Sequence, residues 1–283
     1  MNSKTEFITK ILPTSKWWEL GWKELWDYRD LIAIFTRRDL VATYKQTVLG
    51  PLWFVISPLL TTVIFNFVFG TMAGLGTPGM PGPVFYLSGL VLWNYFQACF
   101  TGTSNTFVSN AHLFGKVYFP RLAVPLALVF SNLLRFFIHF SILLAMAGVY
   151  VWNGSFIWNI GVEFLLVPIL IILMAFLSLG LGILISSLTT KYRDMSILVS
   201  FGTGLLMYIT PVIYPLESLG GKALILVKLN PITPLIESFR TVVLGVGNIP
   251  WDGLVYTSVF TLVVLLLGSV VFNRVQRSFM DTV

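Results

Sequence analysis

The chain has 283 residues, of which 56% are hydrophobic, 15% aromatic and only 11% charged. Water-soluble domains carry roughly 25% charged residues, so a mean hydropathy of +0.85 excludes a soluble enzyme and marks a polytopic membrane protein. One cysteine (Cys99) excludes a disulfide framework, two histidines (His112 and His139) leave little for metal chemistry, and the net charge of +6 reads as membrane orientation rather than nucleic-acid binding.

The first fifty residues form a cytoplasmic unit of their own. Residues 17–28 carry four of the nine tryptophans, and Trp18, Trp22, Leu25 and Trp26 recur at helical spacing opposite Lys16, Glu19, Lys23, Glu24 and Asp27. An aromatic face backed by a charged face predicts a helix lying in the membrane interface, with a packed core helix as the plain alternative. A second helix is expected over 30–46, with Leu31, Ile34, Phe35 and Val41 set against Arg37, Arg38, Asp39 and Lys45. It is too charged to span and too apolar to be a linker, so it is expected at the cytosolic surface against a soluble partner; an ordinary solvated helix is the alternative. Residues 1–30 hold no continuous apolar stretch of the kind a secretory leader needs, so the first span is expected to target the chain.

From Gln46 to Gly115 there are 70 residues without a charge, broken at 73–83 by a run of glycines and prolines. A span needs about 20 apolar residues. The six-span domain is therefore placed at 51–273, with spans at about 51–72, 84–108, 122–151, 164–187, 195–215 and 253–273, and a tail at 274–283. Trp53, Trp152 and Trp251 fall at span ends, where an amphipathic ring prefers the interface. With the N-terminus in the cytoplasm, the inner segments hold fourteen Lys and Arg and the outer loops three, so both termini are expected inside.

Residues 216–251 are too long for a turn and too polar for a span. Pro231 and Pro234 divide them into helical pieces at about 218–229 and 234–245, which suit re-entrant helices buried in protein; an exposed amphipathic hairpin is the alternative. Arg135 and His139 share one face of the third span, and the guanidinium faces protein or water there or snorkels to the inner leaflet.

No motor is encoded. Gly115-Lys116 and Gly221-Lys222 lack the other residues of a phosphate-cradling G-x-x-x-x-G-K-[ST] loop. The acids nearest the spans, Glu163 and Asp252, stand at span ends, which argues against a self-contained secondary transporter or lipid flippase. No Asp-x-Asp or His–acid cluster supports a membrane-embedded glycosyltransferase. These are the competing readings, and the chain is expected to be a conduit without catalytic residues or cofactor of its own.

Several segments carry a family resemblance. Tyr28-Arg29-Asp30-Leu31, Arg38-Asp39-Leu40 and Tyr44-Lys45-Gln46-Thr47-Val48-Leu49-Gly50-Pro51-Leu52-Trp53 resemble the opening segment of ABC-2 type permeases that export polysaccharides. Lys116-Val117-Tyr118-Phe119-Pro120-Arg121, Tyr192-Arg193-Asp194-Met195 and residues 230–240 resemble three later signatures, in the same order. The resemblance implies a homodimer of six-span subunits in the inner membrane, with two copies of a separate subunit that holds ATP and Mg. It also implies a glycan cargo (O-antigen, capsule or wall teichoic acid) on a polyprenyl pyrophosphate lipid, the tryptophan helix favouring O-antigen.

On that footing Arg37, Arg38, Asp39 and Tyr44 are expected to couple to the ATPase. Lys116, Tyr118, Phe119 and Arg121 are expected at the cytoplasmic mouth, the two cations taking the pyrophosphate; plain positive-inside topology is the alternative. Leu224, Ile225, Leu235, Ile236 and Phe239 are expected to close an outer gate, leaving Lys228, Glu237 and Arg240 for its polar rim.

Overall fold

Long apolar segments have no water with which to satisfy their backbone N–H and C=O groups, so they satisfy them internally. Every regular element among the described residues is accordingly helical. The computed structural model describes residues 22–45, 48–77, 79–114, 116–117, 119–192 and 194–278, without the side chains of 22–24, 43–44 and 276–278.

The N-terminal unit contributes α1 (Trp22–Asp27) and α2 (Arg29–Tyr44). Helix α3 (Trp53–Phe65) runs on into a wider π-helical stretch, Asn66–Met72. After the glycine- and proline-rich break come α4 (Gly82–Ser104) and two single-turn helices, α5 (Thr106–Ser109) and α6 (Ala111–Phe114). They are followed by α7 (Ala123–Trp152), α8 (Val167–Lys191, opened by a 3-10 turn), α9 (Met195–Ile209), α10 (Gly221–Leu229), α11 (Thr233–Leu244) and α12 (Trp251–Ser278).

Among the described residues, four stretches are long and apolar enough to cross a bilayer: Gly50–Met72, Ala123–Trp152, Val162–Lys191 and Trp251–Val275. Helix α4 has 23 residues, a length of about 34 Å, but it is more polar and lies at the centre of the bundle. All of its residues from Val84 to Trp93 are buried, and α3, α7, α8, α9 and α11 pack around it. A helix enclosed on all sides needs no lipid-facing stripe.

Helix α9 departs from the expected span over 195–215. It stops at Ile209, and Thr210 is already extended. Pro211 has no N–H to donate and disfavours a helical conformation in the residue before it, so the helix ends there. Its 15 residues reach about 22 Å, against roughly 30 Å of hydrocarbon.

Small residues set the closest approach between helices. A methyl group on Gly268 of α12 would stand 2.8 Å from the Gly180 carbonyl oxygen of α8. A methyl on Gly182 would meet Thr103 of α4 at 2.6 Å. Helix α8 thus lies against α12 on one side and α4 on the other, as small residues permit where no hydrophobic effect drives helices together. Trp53, Trp152 and Trp251 stand at the ends of α3, α7 and α12 and are exposed, as an interfacial ring should be.

Candidate functional site

At the end of the bundle that carries α2, the amphipathic pattern of that helix resolves into two faces. Phe35 is buried, with Tyr28, Leu31 and Ile32 partly so, against α7. The Thr36 hydroxyl donates to the Ala127 carbonyl of α7 at 3.3 Å. Ile34 and Val41, expected on the apolar side, are exposed instead and share the outer face with Arg37. Of the tryptophan helix, Leu25 is buried and Trp26 exposed, while Trp17 and Trp18 lie outside the described residues.

From Phe35 a ladder of rings leads into the bundle. Phe35 meets Phe119 edge-on at 5.6 Å, and Phe119 meets Phe114 at 5.6 Å. Phe114 meets Phe107 at 5.7 Å, and Phe107 stacks on Phe272 of α12 at 4.8 Å. Each such pair contributes about 0.5–1.5 kcal/mol beyond its burial. Cations cap the ladder: Arg38 lies 4.8 Å over the Phe35 ring and pairs with Asp39 at 2.8 Å, and Arg121 lies 5.6 Å over Phe114. The exposed face of α2 is therefore tied through five aromatic rings to a long helix of the bundle.

This arrangement redistributes the residues expected at the mouth. Lys116 is exposed, but Phe119 and Arg121 are buried, and burial holds the Arg121 guanidinium below its ordinary pKa. Phe119 is a rung of the ladder, not an open aromatic platform. Tyr118 and the side chain of Tyr44 lie outside the described residues. Arg135 and His139 do share one face of α7. The Arg135 guanidinium is turned into protein, donating to Asn132 Oδ1 at 3.1 Å and lying 5.6 Å from the Phe54 ring.

At the opposite end, α11 packs on the other terminus of α4, and α10 packs on α11. Leu235, Ile236 and Phe239 of α11 are fully buried inside the subunit, Phe239 against Phe136 and Phe140 of α7. Ile225 is exposed and Leu224 partly exposed on α10, where Leu226 and Leu229 are exposed as well. Arg240, expected at a polar rim, is 4% exposed. Its guanidinium lies 3.8 Å over the Phe85 ring and donates to Ser88 Oγ at 3.2 Å, the Pro211 carbonyl at 3.2 Å and Glu237 Oε1 at 2.9 Å. One side chain thus joins α11 to α4 and to the break after α9. Gly245 ends α11 at φ +71°, pressed so closely on the Asn159 carbonyl that a Cβ there would overlap it.

Helical spacing shows that Glu237 and Arg240 pair; nothing in it reveals Ser88, 152 residues away. The ring ladder was equally hidden, because phenylalanine in an apolar chain carries no positional signal.

These features define a multi-pass helical membrane protein, with an amphipathic helix at one end mechanically joined to the bundle and a helical hairpin locked onto the other. The chain belongs to the ABC-2 type transporter family, whose profile matches residues 30–244. It is 30% identical over 253 residues, 89% of this chain and 94% of the relative, to a Klebsiella pneumoniae protein named O-antigen export system permease protein RfbA. A Myxococcus xanthus protein of the same name is 24% identical over 92% of this chain and 98% of its own length. The polysialic acid transport protein KpsM of Escherichia coli is 22% identical over 88% and 95%.

Proposed function

We propose that this chain is the membrane subunit of an ATP-driven exporter that moves a lipid-linked polysaccharide, O-antigen first among the candidates, across the inner membrane. The observation that carries this reading is the near full-length likeness to relatives named as O-antigen export permeases. Two copies of the chain form the conduit, and two copies of a separate ABC ATP-binding subunit supply the energy. Each copy crosses the membrane six times with both termini in the cytoplasm; α4 and α9 complete the six, the buried non-helical segment 210–213 carrying the chain on where α9 stops short.

The exposed face of α2, with Ile34, Arg37, Arg38 and Val41, receives the ATPase. Movement there passes along the ring ladder to α12, because packed aromatic contacts transmit displacement rather than absorb it. Lys116 remains the exposed cation for the carrier's pyrophosphate, while Arg121 holds the link in place. On the outer side, α10 and α11 re-enter the leaflet as the gate. Helix α11 is the fixed arm, and the apolar side chains of α10 meet the second copy.

Deletion of the gene, with plasmid rescue, tests the cargo. Loss of surface polysaccharide, accumulation of the lipid-linked glycan inside the cell, and recovery on rescue are expected. A deletion strain with unchanged surface polysaccharide contradicts the proposal.

A further inference from the structure

The first turn of α3, together with α4 and α7, lines a cavity of about 400 Å³. Its walls are Trp53 and Phe54 of α3, Asn94 and Tyr95 of α4, and Arg135 and His139 of α7. We propose that this cavity binds the phosphate group of an anionic lipid headgroup.

A cation one turn from an imidazole is costly inside an apolar helix bundle unless something repays its desolvation. Here the Arg135 guanidinium is oriented from two sides, by Asn132 Oδ1 at 3.1 Å and by the Phe54 ring at 5.6 Å. His139 hydrogen-bonds the backbone of Phe54, which ties the opening of α3 to α7. The acid that faces this group from α2 is Asp39, close enough for its charge to act on Arg135. Asp39 also holds Arg38 at 2.8 Å. A planar guanidinium presents five donors in a fork that fits phosphate oxygens, and the amides of Asn94 and Asn132 add neutral donors.

The depth fits a headgroup. Trp53 is exposed at the start of α3, where an indole marks the interface. Basic cavities between helices at this depth are a recurrent way of holding anionic lipids. Aromatic walls suit the glycerol or first methylene groups beyond the phosphate, and the volume lies in the range of small-ligand sites. The chemistry is shared by two sources, a bilayer phospholipid and a polyprenyl pyrophosphate, and it stands whatever glycan the protein moves.

The full chain, purified in a neutral maltoside, is titrated with dihexanoyl-phosphatidylglycerol, farnesyl pyrophosphate and inorganic pyrophosphate, with bound ligand counted by native mass spectrometry. Saturable binding of either lipid is expected, weakened at least tenfold in Arg135→Gln and partly restored in Arg135→Lys. Ala98→Leu, which fills the cavity from α4 without touching a charge, is expected to weaken binding as much and covers the case in which Arg135→Gln does not fold. Binding of phosphatidylglycerol alone assigns a bilayer lipid, and binding of farnesyl pyrophosphate alone assigns the carrier. Binding of inorganic pyrophosphate as tightly as of either lipid overturns the headgroup assignment. Binding of no ligand, or equal binding by wild type and Ala98→Leu, overturns the site.

Discussion

Arg240 shows how much one side chain carries in a bundle with few charges. Its guanidinium is enclosed by an aromatic ring, a hydroxyl, a carbonyl and a carboxylate drawn from three segments. Removing one member of a buried charged pair costs about 3–5 kcal/mol, because its partners are left without compensation. Arg240→Met is therefore expected to lower the thermal unfolding midpoint of the purified protein sharply. Glu237→Gln, which keeps an acceptor for the guanidinium, should lower it far less. Equal midpoints for wild type and Arg240→Met would show that Arg240 does not hold α11 to α4. The position of such residues was only half legible beforehand. The i, i+3 spacing of Glu237 and Arg240 announces a pair, and the charge scarcity of the chain announces that it matters. Burial is not legible because charge alone suggests a rim, whereas Phe85, Ser88 and Pro211 together make an interior site that only the folded chain assembles. The burial of Phe119 and Arg121 is hidden for the same reason, since a Pro-containing polar link reads as exposed until Phe35 and Phe114 are seen to cover it.

Among the elements, the spacing of small residues decides how helices meet. A methyl at Gly268 faces the α8 backbone at 2.8 Å, whereas a methyl at Gly204 of α9 meets nothing within 4 Å. Gly268→Ala is expected to cost about 1–3 kcal/mol by overpacking, and Gly204→Ala to be neutral or stabilising by up to about 1 kcal/mol through helix propensity. Thermal unfolding of the two variants side by side checks the pair, and a midpoint for Gly268→Ala at or above wild type contradicts the packing. Helix placement itself was readable, because charge-free length and interfacial tryptophans both mark the ends of α3, α7 and α12. The premature end of α9 was readable in principle from Pro211, which hydropathy over 195–215 conceals. Which face of α2 points inward was not readable: Ile34 and Phe35 are adjacent and equally apolar, and only the fit of Phe35 against Phe119 selects one. Helix α11 misled in the same way. Its leucine, isoleucine and phenylalanine suit a gate or a core equally, and contact with α7 makes them core.

For the whole molecule, the fixed arm and the exposed arm of the hairpin separate cleanly. In a Cys99→Ser background, single cysteines at Ile225, Leu226 and Leu229 are expected to crosslink two copies in the resting protein. Cysteines at Leu235, Ile236 and Phe239, buried within their own subunit, should not. Free reaction of the first three with an impermeant thiol reagent, with no crosslink at any of them, would make α10 an exposed surface helix. On the proposed function the chain is a conduit driven from outside itself through α2. The most direct test is ATP hydrolysis and glycan translocation in proteoliposomes, with the chain alone, with the co-expressed ATP-binding subunit, and with Arg37→Glu/Arg38→Glu in the chain. Neither activity is expected from the chain alone and both with the partner, with loss of co-elution and translocation in the double variant while membrane insertion stays intact. Translocation by the chain alone under an imposed proton gradient would contradict the proposed function.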